Sequence, residues 1–241
     1  MEKLEKFQIL VSCLIITFGL LIVLLIFSSK IQKDENITVT GSAYKIVKSD
    51  SARLSFAIQT KKINKKEAYA HLKKQSPVVV EYLIKNGIKK EDIDLKSMNG
   101  YSVYKQNDKG YSTNEVIAFE ASQPIEVKSN DVEKIKEIST DIQKLIEDSI
   151  NIDVYNVQYF YSDLALIKVD LLKEASLDAK QRAESMLSAT NAKVGKVKSM
   201  RMGVFQITPI DSTMVSDMGI NDTTSIDKKV TAVANVVFKV K

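Results

Sequence analysis

The chain has 241 residues, with 35 basic and 30 acidic side chains that give a net charge of +5. This excess is mild, and only three of the basic residues are arginines, which argues against nucleic-acid binding because such surfaces combine clustered arginines with stacking aromatics. One histidine and one cysteine provide no zinc site of the usual kind, and the chain contains no Gly-rich phosphate loop or nucleophile elbow. We therefore expect no cofactor, no metal and no catalytic residue.

The first element is a run of 21 residues without a charge, Phe7 to Phe27. As a helix it would extend about 30 Å, the thickness of the hydrocarbon core of a bilayer. A cleaved signal peptide is the alternative, but cutting after Ser28 or Ser29 would leave a bulky residue at position −3. We predict an uncleaved transmembrane anchor.

The anchor divides the chain into residues 1–35, a cytoplasmic tip with the anchor and a short linker, and residues 36–241, a folded domain. The length of the second part permits one large domain or two small ones. Flanking lysines are balanced on the two sides of the run, so charge alone does not orient it in the membrane.

The domain is expected to open with strands 37–41 and 52–58, joined in a hairpin at Ser49–Asp50. A helix follows from Asn64 to Asn86–Gly87, with a kink predicted at Pro77. Its buried stripe has helical spacing and comprises Ala68, Leu72, Ser76, Val79 and Leu83.

The middle of the chain predicts a second hairpin and a second helix. Extended chain runs over 91–104, a turn cluster occupies 106–110, and a strand runs from Val116 to about Val127. Asn130 is expected to cap a helix that ends near Asp148.

The last part predicts a strand over 153–161, a long helix from Ser162 or Asp163 to Thr190, and extended chain over 195–208. Alternation places Tyr155, Val157, Tyr159 and Tyr161 on one face of that strand. A polar stretch from Pro209 to Asp227 is expected to be a mobile loop, before a closing strand at 229–239. The helix stripe comprises Leu164, Ile167, Leu171, Ala175, Ala179, Ala183 and Met186.

The element order β-β-α-β-β-α-β-α-β-β predicts an α+β fold, with a largely antiparallel sheet and three packed helices after the transmembrane helix. Over about residues 37–240 this chain resembles the SIMPL-domain (DUF541) family of bacterial envelope proteins. The resemblance rests on I-T-V-T-G-S-A at 37–43, D-S-A-R-L at 50–54, N-G-I-K-K-E-D-I at 86–93, and E-A-S-L-D-A-K-Q-R-A-E-S-M-L at 174–187.

This resemblance implies an envelope protein without known catalytic residues, associated with stress tolerance and with a tendency to self-associate. Such a protein would be held at the cytoplasmic membrane, with its domain in the periplasm or outside the cell. Asp178 and Arg182 of the last motif also have a simple structural role, because residues four apart on a helix can form an ion pair.

We expect a non-enzymatic homo-oligomer, or a complex with another envelope protein. Assembly would use strand edges or the face of Tyr155, Tyr159 and Tyr161, since tyrosine is enriched at interfaces. The alternative is that these tyrosines cover the helices of their own domain.

Two other functions are compatible with the sequence. A binding module for a small ligand or cell-wall polymer would use the loop at 209–227 or a groove between sheet and helices. A hydrolase would use carboxylates such as Asp92, Asp94 or Glu120 as acid and base. The lone His71 is expected to be a surface residue.

Overall fold

The computed structural model describes residues 14–24 and 35–241. Residues 14–24 are helical and form α1, and every one of their side chains is exposed. Across the two described ranges, no helix has the length and hydropathy needed to cross a bilayer. The predicted anchor at Phe7–Phe27 extends beyond α1 on both sides, so it lies partly outside the described residues and stays a prediction.

The described residues form ten strands and four helices, an α+β arrangement with mostly antiparallel pairing. The strands are β1 Asn36–Lys48, β2 Ser51–Lys62, β3 Ile93–Leu95, β4 Asn99–Gln106, β5 Ser112–Ser129, β6 Asn151–Phe160, β7 Val194–Met202, β8 Gln206–Pro209, β9 Ile220–Asn221 and β10 Asp227–Val240. The helices after α1 are α2 Lys65–Lys85, α3 Val132–Asp141 and α4 Leu164–Ser188, with 3-10 turns at Lys90–Asp92 and Ile142–Ile146.

The strands belong to two sheets. One sheet has the order β1-β10-β8-β9, with β7 also paired to β10, and the other has the order β3-β5-β2-β6, with β4 also paired to β5. The predicted hairpin between β1 and β2 is therefore wrong. The turn between them is bonded elsewhere, because the Ser49 amide donates to the Ile226 carbonyl and the Asp50 amide to the Phe160 carbonyl.

By its contacts the chain divides into two compact units. One unit comprises Ser42–Ala175 and Met202–Val233, and its core lies between the β3-β5-β2-β6 sheet and the helices α2 and α3. All five predicted stripe residues of α2 are buried there, and Asn64 caps this helix by accepting a hydrogen bond from the Glu67 amide. Pro77 lies inside α2. Asp131, not Asn130, caps α3, because its carboxylate accepts from the Lys134 amide.

The other unit comprises the described residues up to Gly41, together with Ser176–Arg201 and Ala234–Lys241. Its buried residues are small or apolar: Val39, Ala179, Ala183, Leu187, Ala234, Val236 and Phe238. Met186, predicted for the stripe of α4, is instead exposed, and Leu187 is buried. Glycine is needed at 195, because a Cβ there would lie 2.6 Å from the Lys239 carbonyl oxygen.

Candidate functional site

The three predicted interface tyrosines do not share a face of β6. Tyr159 belongs to the core with 7% exposure, whereas Tyr155 is 54% exposed. Tyr161 follows the end of the strand and is partly exposed. Of the three, Tyr155 presents most of its side chain to solvent.

A β-bulge explains this difference. Ser55 of β2 lies opposite Asn156, but the next residue, Phe56, lies opposite Val154, so Tyr155 is an extra residue in β6. A one-residue insertion reverses the alternation of the strand. Val154 on one side of the bulge and Tyr159 on the other therefore both face the core. The predicted single face of tyrosines was wrong for this reason.

The carboxylates named for a hydrolase have separate surroundings. Asp94 lies opposite Glu126 and pairs with Lys96. Glu120 is six residues further along β5, about 20 Å at 3.3 Å per residue, and it accepts a hydrogen bond that raises the pKa of Tyr101. Asp94 and Glu120 are too far apart to act on one bond as acid and base. His71 is partly buried beside Thr60, with 3.3 Å between Nδ1 and Oγ1.

Within residues 14–24 and 35–241, no group of three or more His, Cys, Asp or Glu side chains is placed so that it could hold a metal ion.

The hairpin of β4 and β5 continues past the helices that cover the rest of its sheet. We call residues 101–117 the ribbon. Its exposed apolar and aromatic side chains lie on both strands and in the turn: Tyr101, Tyr104, Tyr111, Val116 and Ile117, which are 47–69% exposed. Along Ser112–Ile117 no residue is buried, whereas burial begins at Ala118 and Phe119. A two-stranded ribbon alone is marginally stable in water. Its exposed side chains lie on both faces, because Tyr101 and Tyr104 are three residues apart on β4 and side chains alternate along a strand.

The base of the ribbon is fixed by a close approach of β4 to β5. A Cβ on Gly100 would lie 2.5 Å from the Glu120 carbonyl oxygen and 2.8 Å from the Phe119 ring. Glycine therefore lets β4 pair with β5 beside the Phe119 ring. Near the tip, Lys105 and Glu115 form an ion pair of 3.0 Å across the two strands.

A second arrangement of side chains lies where β8 pairs with β10. Thr208 is opposite Lys229, and Gln206 is opposite Thr231, so four polar side chains point to one face of this sheet. We call these four residues the polar floor. Residues 212–215 cover it, and a cavity of about 200 Å³ remains between them. The alternate residues Ile207 and Val230 are buried on the opposite face.

Two hydrogen bonds hold the covering loop in place. The Gln206 Nε2 donates to the Ser216 carbonyl at 2.7 Å, and the Lys229 Nζ donates to the Ser212 carbonyl at 2.9 Å. Thr208 and Gln206 are 2% and 7% exposed. The Thr208 Oγ1 and the Gln206 Oε1 nevertheless have no hydrogen-bond partner among the described residues. The floor therefore contains polar atoms whose hydrogen bonds are not made within the protein.

A buried ion pair lies at the start of β10. Lys228 is 2% exposed, and its Nζ donates to the Asp222 carbonyl at 2.7 Å and lies 3.8 Å from the Asp222 Oδ2. Burial lowers the pKa of Lys228, although the charge of Asp222 opposes this. Burial alone would raise the pKa of Asp222, but hydrogen bonds from Thr224 and Ser225 and the charge of Lys228 lower it.

This pair gives structure to a segment that the sequence predicted to be a loop. Between Pro209 and Asp227 the chain forms β9, which runs parallel to β8, and the Asp222 amide donates to the Ile207 carbonyl. The alternation of apolar residues in β10 could have identified Lys228 as a buried residue, because it shares a face with Val230 and Ala232. No comparable signal in the sequence marks its partner, Asp222.

The fold and these surfaces define an α+β protein with two mostly antiparallel sheets, an exposed β-ribbon and a polar cavity. A family model described as SIMPL: Protein of unknown function (DUF541) matches residues 37–238. The chain belongs to this family. A comparison with curated proteins found no match. As predicted, Asp178 and Arg182 of the family-like helix form an ion pair, with 2.8 Å between Oδ2 and Nε.

Proposed function

We propose that this protein is a non-enzymatic module of the cell envelope, anchored in the membrane by its N-terminal helix, which assembles with copies of itself. The observation that carries the proposal is the ribbon, which exposes five apolar and aromatic side chains on its two strands and its turn. Scaffolding or stress protection in the envelope would be the role of such an assembly.

The anchor is supported by α1 and the residues around it. The eleven residues 14–24 contain no charge and are helical, and all of their side chains are exposed. Exposed apolar area costs roughly 25 cal/mol per Å² in water. A bilayer would remove this cost, and the uncharged run from Phe7 to Phe27 is long enough to cross one. The folded domain would then lie on the outer side of the cytoplasmic membrane.

Self-assembly is supported by the edge of β4. In the described part of the chain this strand pairs only with β5, and Lys105 is its only charged residue. Soluble proteins usually protect such an edge with charges or proline, because its free amides and carbonyls can bind another strand. The occupant that we propose is β4 of a second copy, since antiparallel pairing of identical strands gives a closed, two-fold interface. Tyr101 and Val103, which share a face of β4, would pack against the partner.

The proposal is tested by the absolute mass of the full-length protein in a non-ionic detergent, measured by light scattering after size exclusion. We expect a discrete multiple of 27.0 kDa. Tyr101→Lys adds a charge beside the edge of β4 and should reduce the protein to a monomer. Tyr155→Lys is the matched control, because Tyr155 is an equally exposed strand tyrosine outside the ribbon.

Each result has a clear meaning. A wild-type monomer would refute self-assembly. A multimer that dissociates with Tyr155→Lys, but not with Tyr101→Lys, would show that the interface lies at β6 and not at β4. A multimer that withstands both substitutions would refute the ribbon as the interface. Circular dichroism of each variant distinguishes dissociation from unfolding.

A further inference from the structure

The polar floor and its cavity have features that packing alone does not explain. A buried polar atom without a hydrogen bond costs about 1–3 kcal/mol, and buried polar atoms in proteins are therefore almost always paired. Two such atoms, the Thr208 Oγ1 and the Gln206 Oε1, belong to neighbouring side chains that line one cavity. A molecule held in this cavity can supply the missing hydrogen bonds.

The donors and acceptors of the floor define the chemistry of that molecule. Gln206 provides an amide oxygen, which only accepts, while Thr208 has a hydroxyl that donates and accepts. Lys229 provides an ammonium group, of which one N–H is bonded to the Ser212 carbonyl. The molecule must therefore offer a donor to Gln206 and negative charge to Lys229.

We propose that the cavity binds a small organic carboxylate that carries a hydroxyl or ammonium group on the neighbouring carbon. The carboxylate accepts from Lys229 and Thr208, and the neighbouring group donates to the Gln206 oxygen. A simple carboxylate would leave Gln206 unpaired, and a neutral polyol would leave Lys229 without a counter-charge.

The size of the cavity and the nature of its cover agree with this ligand class. About 200 Å³ corresponds to roughly seven water molecules at about 30 Å³ each, which suits a compact metabolite. Met214 and Val215, which line the cavity, are 72% and 82% exposed. The side chains of Gln206 and Lys229 donate to the carbonyls of Ser216 and Ser212 and so join the floor to the loop. The loop can admit a ligand when these two hydrogen bonds are released.

Thermal unfolding of the full-length protein in detergent tests the proposal, with L-lactate and glycine as probes. Acetate and glycerol are the matched compounds that lack the donor or the charge, and sodium chloride controls for ionic strength. At about ten times the dissociation constant, lactate or glycine should raise the Tm by about 3–6 °C. Acetate and glycerol should have at most a small effect.

Thr208→Val separates binding from folding. It removes a hydroxyl that has no partner, so the unliganded protein should be as stable as the wild type or more stable. The shift with lactate or glycine should nevertheless disappear. Thr60→Val, a change of the same kind at a buried site beside His71, should keep the full shift. Thr231→Val offers a second variant of the floor with a half-buried side chain.

Three outcomes would overturn the proposal. If no probe changes the Tm, the cavity holds only water. If acetate is as effective as lactate, the effect is one of simple anions. If Thr208→Val and Thr231→Val both keep the shift, the probe binds elsewhere. The proposal is independent of self-assembly, because the mass of the protein and its response to these probes are separate measurements.

Discussion

Replacement of Lys228 by methionine should destabilise the protein strongly, because Lys228 is a buried charged residue that pairs with Asp222. The substitution keeps an unbranched apolar stem and removes the charged ammonium group at its end. It also removes the 2.7 Å hydrogen bond to the Asp222 carbonyl and the ion pair with Asp222. Asp222 then remains as a carboxylate whose side chain is only 7% exposed.

The expected magnitude follows from these contacts. Removing one member of a buried ion pair costs about 3–5 kcal/mol, because the other charge is left without compensation. Three hydrogen bonds from Thr224 and Ser225 still stabilise the Asp222 carboxylate. Burial also penalises the ammonium of Lys228, since it lowers the pKa of that group. Both effects favour the lower end of this range of destabilisation, about 3 kcal/mol. That cost corresponds to a fall in Tm of about 6–12 °C for a chain of this size.

Urea unfolding of the full-length protein, followed by circular dichroism, measures the change. Lys61→Met is the control, because Lys61 is an exposed lysine of β2, and it should change the free energy of unfolding by less than about 0.5 kcal/mol. The double variant Lys228→Met with Asp222→Asn should be more stable than Lys228→Met alone, because no charge remains buried.

The pH dependence provides a second test of the same pair. The pKa of Asp222 is lower in the folded protein than in the unfolded chain. Its ionised form therefore contributes stability above the ordinary pKa of about 4, and that stability is lost as the pH falls through the lowered folded value. The Asp222→Asn protein should lack the part of the loss of stability at low pH that comes from protonation of Asp222. A Lys228→Met protein as stable as the wild type, or an additive double variant, would refute the reasoning.

Two further experiments test the positions of side chains in the sheet of β2 and β5. Tyr159→Ala should destabilise the protein by about 3–5 kcal/mol in urea unfolding, because Tyr159 is in the core, whereas Tyr155→Ala should cost less than about 1 kcal/mol; equal effects would contradict the bulge. Gly100→Ala should weaken the pairing of β4 with β5, because the new Cβ would overlap the Glu120 carbonyl. Faster amide exchange confined to β4 and its partner residues is expected, and unchanged exchange would contradict the close approach.

Helices were predicted well because their signals are local. The stripe of α2, from Ala68 to Leu83, has the period of a helix, and Asn64 has the side chain of an N-cap. Both were confirmed. The first turn of α3 was displaced by one residue, since Asn130 and Asp131 are both good caps and only Asp131 accepts the bond from Lys134.

Strand pairing was less predictable because it depends on distant residues. The two-residue connection between β1 and β2 is typical of a hairpin, but the amides of that turn bond to Ile226 and Phe160. The bulge at Tyr155 is likewise determined by the register of β2 and β6, and no residue type in the sequence marks it. Because strict alternation does not allow for this extra residue, it assigned all three tyrosines to one face of β6, which was wrong.

The candidate surfaces were also predictable only in part, because each depends on elements that are distant in the sequence. The ribbon lies on a hairpin whose turn was predicted, but its exposure depends on where the covering helices end. The polar floor combines residues of β8 and β10 that are about 20 positions apart. The sequence predicted extended chain at all four, but it did not predict that the two strands pair. Its unpaired oxygens become visible only when the hydrogen bonds of Gln206 and Thr208 are traced.

The central claim, that β4 pairs with a second copy, is tested most directly by amide hydrogen exchange of the full-length protein in detergent at high and low protein concentration. Every second amide of Asn99–Gln106 faces away from β5 in an antiparallel pair. If two copies pair through this strand, those amides should be protected at high concentration and should exchange rapidly on dilution. Rapid exchange of the same amides at every concentration, in a sample whose mass is that of a multimer, would contradict the account.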